Sequence, residues 1–407
     1  MSDLTLHIAI PAMDELEFLP HTMQALAEQK CDCRFSVYVC VNQPDEWWND
    51  SENIEVCRHN SQTMDWLQTV DNIDLTVLDF SSAGKGWIGK RHGVGWARKM
   101  LFNHILTIAK ADDILVSLDA DTLFSKDYLQ SIADNFNQNP GLNTISIPYY
   151  HRLTDDDRAN RAILRYELYL RLWFLNMHNI NSPYAFTAIG SAIAVKISAL
   201  RKIGGITPMK SGEDFYLVQK LRKMSEVSNY NREVVYPAAR FSDRVCFGTG
   251  PAMIKGDAGD WGSYPIYHHS LFGDIAATYN LIPQLFTENI NTPFLDFLSK
   301  QFNDPDFLTP LRKNSKNITR FARAFHEKAD GLRILQYVKQ KNENLSYSDE
   351  ESVRDNFRHF FGEKSPDFIT SPFILTNLST EQLAQLRDML FEEEQKIRRG
   401  NDTVLGD

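Results

Sequence analysis

The chain has 407 residues, long enough for one large α/β domain and an accessory region. Its 43% hydrophobic and 24% charged residues are those of an ordinary globular protein. A net charge of −10 argues against general nucleic-acid binding, which needs a basic surface to neutralise phosphates, while leaving room for a local basic pocket.

The first strand is expected at residues 4–10, so near the start that no signal core precedes it. No run approaches the roughly 18 apolar residues of a membrane helix. The five cysteines (Cys31, Cys33, Cys40, Cys57 and Cys246) are odd in number and match no zinc spacing, so reduced thiols in a cytoplasmic protein are expected. A helix over 16–29, a strand at 35–41, a polar insertion and a strand at 75–80 follow. A glycine-rich loop from Gly84 to Gly95 leads into a helix ending at Lys110. The apolar run from Ile114 to Leu118 is the fourth strand, and a helix over 126–137 and a strand at 144–147 continue the alternation. Strands alternating with helices in this way indicate a parallel sheet. Thr154-Asp155-Asp156-Asp157 has the form of a capping box for a long helix to about His178. Another strand is expected at 188–195, a helix after Ser211-Gly212-Glu213-Asp214, and a short strand at 234–236. Beyond Asn291-Thr292-Pro293 the pattern is helical, with Ser379 and Gln382 as a cap and Gly400 as a stop. The expected division is a domain over 1–290, with halves 1–145 and 146–290, and a helical region over 291–407.

The fourth strand ends in Asp119-Ala120-Asp121-Thr122. Open α/β sheets hold ligands at the carboxyl ends of their strands. Two carboxylates there suit a hard divalent cation, Mg²⁺ or Mn²⁺, which fills its remaining positions with water and phosphate oxygens. A polar loop or helix cap is the plain alternative. Gly84, Gly89 and Lys90 nearly spell a phosphate-binding P-loop, but Arg91 stands where Ser or Thr would ligate Mg²⁺. Glycines with Lys85, Lys90 and Arg91 still suit a loop close to a phosphate, as they suit a solvated turn. Leu123 stands where an aspartyl phosphatase needs its Thr, which excludes that chemistry. Glu213 and Asp214 fit a helix start, and a carboxylate there can also act as a general base if a cleft lies above it. Arg240 and Arg244, near a glycine turn, suit bidentate contact with a phosphate or carboxylate, or a surface salt-bridge loop. Arg312, Lys316, Arg320 and Arg323 fall near one helical face, solvated or facing an anionic lipid or acceptor.

Together these stretches resemble the family 2 glycosyltransferases of the GT-A fold. Ile10-Pro11-Ala12-Met13-Asp14-Glu15 is similar to that family's "I-P-x-x-N-E" opening, with Asp14 in place of Asn. Gly93-Val94-Gly95-Trp96-Ala97-Arg98-Lys99 resembles its "G-x-x-x-A-R-N" helix start, with Lys99 in place of Asn. Asp119-Ala120-Asp121, Ile189-Gly190-Ser191-Ala192, Gly204-Gly205 and Glu213-Asp214 follow in the family's order, and the resemblance spans roughly residues 4–250. It implies a Rossmann-like, mainly parallel sheet flanked by helices. It also implies a nucleoside-diphosphate sugar as donor, and a glycan, lipid-linked or small-molecule acceptor.

The resemblance also implies roles. Pro11, Ala12 and Glu15 would line the base and ribose, with Asn42 or Asp45 nearby. Lys85 and Arg98 would approach the base or diphosphate. Asp119 would face ribose and metal, and Asp121 would ligate the metal, with His268 or His269 as candidates to complete its shell. Gly190, Ser191, Glu213 and Arg244 would lie on the acceptor side, and Asp214 would be the catalytic base, with inversion the usual outcome. Three alternatives stay open: a retaining enzyme acting on a small acid, a nucleotidyltransferase with a related sheet, and a non-catalytic binding module. Peripheral membrane contact through the helical C-terminal region is a further expectation.

Overall fold

The computed structural model describes residues 4–210, 212–244 and 248–404, the side chains of 401–404 excepted. The chain forms two compact units. The first comprises Met1–Ile163, Phe186–Asp260 and Gln395–Asp407, and the second Leu164–Ala185 and Trp261–Glu394. The boundary expected at 290/291 thus lies within the second unit.

The first unit carries the strands β1 (Thr5–Ala12), β2 (Arg34–Asn42), β3 (Leu75–Phe80), β4 (Ile114–Ser117), β5 (Thr122–Phe124), β6 (Thr144–Ser146), β7 (Ile193–Lys196) and β8 (Val235–Pro237). Six of them form a sheet in the order β3-β2-β1-β4-β7-β6. β1 pairs in parallel with β2 and β4, and β2 with β3, while β7 runs antiparallel to both β4 and β6. β1 and β4 are buried along nearly their whole length, which is why they read as unbroken apolar runs. β5 and β8 form a separate antiparallel pair. This unit also contains helices α1 (Leu19–Ala27), α2 (Ile54–Leu67), α3 (Val94–Ile108) and α4 (Tyr128–Gln138), the start of α5 (Asp157–Asn179), then α6 (Ile197–Lys202), α7 (Glu213–Met224) and α8 (Thr249–Asp257). A mixed, mainly parallel sheet flanked by helices is the architecture expected.

The second unit is helical among its described residues, with α9 (Gly273–Asn280), α10 (Ile282–Leu285), α11 (Pro293–Phe302), α12 (Leu308–Asn314), α13 (Ile318–Lys328), α14 (Gly331–Leu345), α15 (Asp349–Phe361) and most of α16 (Thr380–Val404). Its interior holds a charged set. Arg171 bonds to Glu167 at 2.8 Å and Glu394 at 2.6 Å, and Arg387 lies 3.4 Å from Glu167, all four side chains being buried. No described helix is long and apolar enough to cross a membrane.

Several local expectations are corrected. The polar insertion after β2 contains α2, whose buried face includes Asn60 and Thr63 and therefore lacks an apolar stripe. Asp156, not Thr154, caps α5: its Oδ1 accepts from the Arg158 and Ala159 N–H groups at 3.0 and 3.2 Å. The strand expected over 188–195 is confined to β7. Ser379 and Gln382 cap α16 reciprocally, as expected, but the helix passes through Gly400. Arg398 explains the overrun, since it is buried and donates to the Ser146 and Asn229 carbonyls at 3.0 and 2.6 Å. Cys31 and Cys33 form a disulfide rather than staying reduced, whereas Cys40 and Cys57 are free and buried. Arg312 and Arg320 fall on different helices, and Arg312 donates to the carbonyls of Leu285 and Glu288 at 2.7 and 2.6 Å, so the four basic residues share no helical face. Ser211 and Cys246 lie outside the described residues.

Candidate active site

The sheet reverses its strand order between β1 and β4: β2 and β3 lie on one side of β1, and β4, β7 and β6 on the other. The crevice outside the strand ends at such a reversal is where open α/β sheets bind ligands. Met13 to Glu15 leave β1 there, and Asp119 and Asp121 leave β4. The Leu118 N–H bonds to the Ala9 carbonyl at 3.0 Å and keeps the two exits adjacent.

Arg98, buried on α3, joins the two acidic motifs. Its Nε donates to Glu213 at 3.0 Å, its Nη1 to the Ser117 hydroxyl and the Gly190 carbonyl at 3.2 and 3.3 Å, and its Nη2 to Asp119. Gly190 has to be small here, because a Cβ would lie 2.7 Å from the Arg98 Cζ. Glu213 and Asp214 open α7, where acidic side chains complement the helix dipole. Burial raises the Asp214 carboxyl above its ordinary value, opposed by the Arg98 charge and by the Phe215 N–H at 2.7 Å. Burial raises Glu213 as well, against Arg98 and together with repulsion from Asp214. A carboxylate raised in this way is a better proton acceptor than one in water.

Arg240, in the segment after β8, organises a second cluster. Its Nε and Nη2 donate to Asp121 at 2.9 and 2.7 Å, and Nη2 also donates to both oxygens of Glu15 at 2.8 and 2.7 Å. Its guanidinium lies 3.9 Å from the Phe18 ring centroid. Arg244 bonds to Glu15 as well, and to the Met13 carbonyl at 2.9 Å. Burial and the Asp121 charge push Glu15 up to about 7, opposed by both arginines. The structure therefore places Arg244 against the β1 exit. The sequence marked Arg240 only as part of a basic stretch; its pairing with Asp121, 119 residues away, leaves no sequence signal.

The other residues expected near the donor are at the ends of β1, β2 and β3. Pro11 and Ala12 are buried, and the Ala12 carbonyl accepts from Asn42 Nδ2 at 2.9 Å. Asn42 Oδ1 accepts from the Trp87 indole at 3.1 Å, and Trp87 stacks on Phe80 at 4.3 Å between centroids. Lys85 pairs with Asp79 at 2.9 Å. Against the cost of burial, the Ser82 N–H and Lys85 hold the Asp79 carboxyl well below the usual range. The glycine loop is tied down by Asp45, whose Oδ1 accepts from the Gly84 and Gly86 N–H groups at 2.7 and 3.3 Å. Asp79 and Trp87 were not singled out from the sequence. Ser191 is buried, with no hydrogen-bond partner for its hydroxyl among the described residues.

His268 and His269 were the candidates to complete the metal shell. Among the described residues, no group of three or more His, Cys, Asp or Glu is placed to hold a metal ion. Both histidines belong to the second unit. His268 bonds to Ser270 at 2.8 Å and stacks on Tyr347, and His269 stacks on His359 at 4.4 Å between centroids. Burial and the neighbouring His268 and His359 push His269 down to about 4.

Asp119 and Asp121 nevertheless have the chemistry for Mg²⁺ or Mn²⁺. Among the described residues, Asp119 Oδ2 and Asp121 Oδ1 carry no hydrogen bond, so each carboxylate keeps one hard oxygen donor. Mg²⁺ commonly takes one or two carboxylates and completes its octahedron with water and substrate phosphates. The residues therefore fit a cation that arrives with a phosphorylated ligand.

No family model and no curated protein sequence matches the chain. Among solved structures, the chain is similar to Staphylococcus aureus TarS in complex with UDP-GlcNAc, with 10% identity over 98% of this chain and 92% of that one and a TM-score of 0.43. It is similar to mannosyltransferase PcManGT from Pyrobaculum calidifontis in complex with GDP-Man and Mn²⁺, with 14% identity over 96% and 86% and a TM-score of 0.33. It is also similar to glucosyl-3-phosphoglycerate synthase from Mycobacterium tuberculosis with UDP, with 10% identity over 63% and 80% and a TM-score of 0.35. Likenesses this slight assign neither activity nor substrate.

Proposed function

We propose that the protein transfers a sugar from a nucleoside-diphosphate sugar to an acceptor hydroxyl on a glycan, a lipid-linked glycan or a small molecule. One observation supports the reading: Arg98 binds both Asp119 at the end of β4 and Glu213 at the start of α7, so the two acidic motifs share one arginine. In this reading Asp119 and Asp121 hold Mg²⁺ or Mn²⁺, which neutralises charge growing on the departing diphosphate. Pro11, Ala12, Asn42 and Lys85 line the nucleoside end. Asp214 takes the proton of the acceptor hydroxyl as that oxygen bonds to the anomeric carbon. The bond from that carbon to the diphosphate breaks, its electron pair stays on the phosphate oxygen, and the configuration inverts. Glu213 stays on Arg98 and fixes the start of α7.

The test is release of UDP or GDP from a panel of their sugars, with acceptor sugars present and Mn²⁺ added. Turnover should appear with at least one donor, and Asp214→Asn should lower it about 10²–10⁴-fold while leaving donor binding intact. Full turnover by a folded Asp214→Asn variant would remove Asp214 from the role of base.

A further inference from the structure

We propose that Arg240 is an exchangeable counter-ion. It neutralises Asp121 while the crevice is empty and moves to a phosphate oxygen when a nucleoside diphosphate binds, leaving Asp121 to the cation. The inference rests on the donor reading above. Its basis is the charge balance of one cluster. Glu15 and Asp121 are matched by Arg240 and Arg244, so the cluster is neutral as it stands. A divalent cation entering alone would meet both guanidiniums beside the one oxygen of Asp121 that Arg240 leaves unbonded. A diphosphate diester brings two negative charges that can draw Arg240 off Asp121 and offset the cation. Cation and diphosphate should therefore bind together, each tightening the other by the same factor.

The geometry shows which arginine moves. Arg244 is held by Ser242, by the Met13 carbonyl and by Glu15, so Glu15 keeps a partner if Arg240 leaves. Arg240 has no described partner other than Glu15, Asp121 and the face of Phe18, and it lies in a segment outside any helix or strand. Its side chain is 21% exposed, so it can turn toward a ligand without first being unburied. A planar guanidinium suits a phosphate as well as a carboxylate. It occupies one oxygen of Asp121 and leaves the other free for a metal.

The test uses the full chain at pH 8, with wild type, Arg240→Ala and Arg240→Lys checked for folding by circular dichroism. Mn²⁺ binding without nucleotide is read from the electron paramagnetic resonance signal of the free ion. Binding of UDP and of GDP is read by equilibrium dialysis, in EDTA and in excess Mn²⁺. Wild type should bind Mn²⁺ weakly alone and bind one of the two nucleotides at least tenfold more tightly with Mn²⁺. Arg240→Ala should bind Mn²⁺ alone about tenfold more tightly and the nucleotide in EDTA about tenfold more weakly. Arg240→Lys should fall between them. If wild type shows Mn²⁺-dependent nucleotide binding and both variants match it in every arm, the exchange is wrong and the donor reading stands. If wild type binds neither UDP nor GDP under any condition, the donor reading fails and the exchange with it.

Discussion

Gly190→Ala probes how Arg98 is packed. The new methyl carbon would lie 2.7 Å from the Arg98 Cζ and 2.9 Å from Nη1, with Nη2 closer still. Arg98 is 4% exposed and held on several sides, so it can give way only by breaking its bonds to Asp119, Ser117 and the Gly190 carbonyl. Losing one partner of a buried ion pair costs about 3–5 kcal/mol. Here the partners remain and part of the pairing can re-form, so a loss of about 2–3 kcal/mol is expected. For a domain of this size that corresponds to roughly 5–10 °C in Tm. Urea unfolding of wild type, Gly190→Ala, Arg98→Met and the double variant measures it. With Arg98 gone, the alanine should cost no more than about 0.5 kcal/mol, because the overlapping group is absent. Equal cost of Gly190→Ala in both backgrounds would show that the loss does not come from the Arg98 guanidinium.

Other consequences can be checked separately. Because burial raises the Asp214 carboxyl, transfer should fall as pH drops through a value above that of an ordinary aspartate, and a rate–pH profile locates that limb. The stability it contributes is present at low pH and lost as pH rises through the raised value, so Asp214→Asn should stabilise the fold at neutral pH in a urea melt. Gly250→Ala would put a Cβ 2.8 Å from the Ser242 side chain and closer to its carbonyl, displacing the segment of Arg240 and Arg244. Equilibrium dialysis should show weakened nucleotide binding. Ser379→Ala removes the cap of α16 and should cost about 1 kcal/mol by thermal melt, with activity unchanged.

The sheet was legible because its strands are bounded apolar runs: β3 falls on the expected residues, and β1 and β2 begin and end within two of theirs. Glu213 and Asp214 were legible as a helix start by their residue types alone. α2 was hidden because its buried side relies on Asn60, which donates to Gln43 at 2.7 Å, and on Thr63, rather than on an apolar stripe. β5 was hidden because three residues just after the acidic motif become a strand only by pairing with β8. Arg98 was visible as a motif residue, but its grip on Glu213, 115 residues away, belongs to the folded chain, as does the hold of Arg240 on Asp121. Local pattern located the carboxylates. It could not show that an arginine already balances each of the two at the end of β4.

Thermal unfolding with a panel of UDP- and GDP-sugars, each with and without Mn²⁺, shows whether the chain binds such donors through a metal. A ligand at about 100 times its dissociation constant stabilises the state it binds by about 2.7 kcal/mol. At least one nucleotide sugar should raise Tm and raise it further with Mn²⁺, and Asp121→Asn should remove the metal-dependent part. No shift from any nucleotide sugar, with or without the metal, would contradict the proposed function.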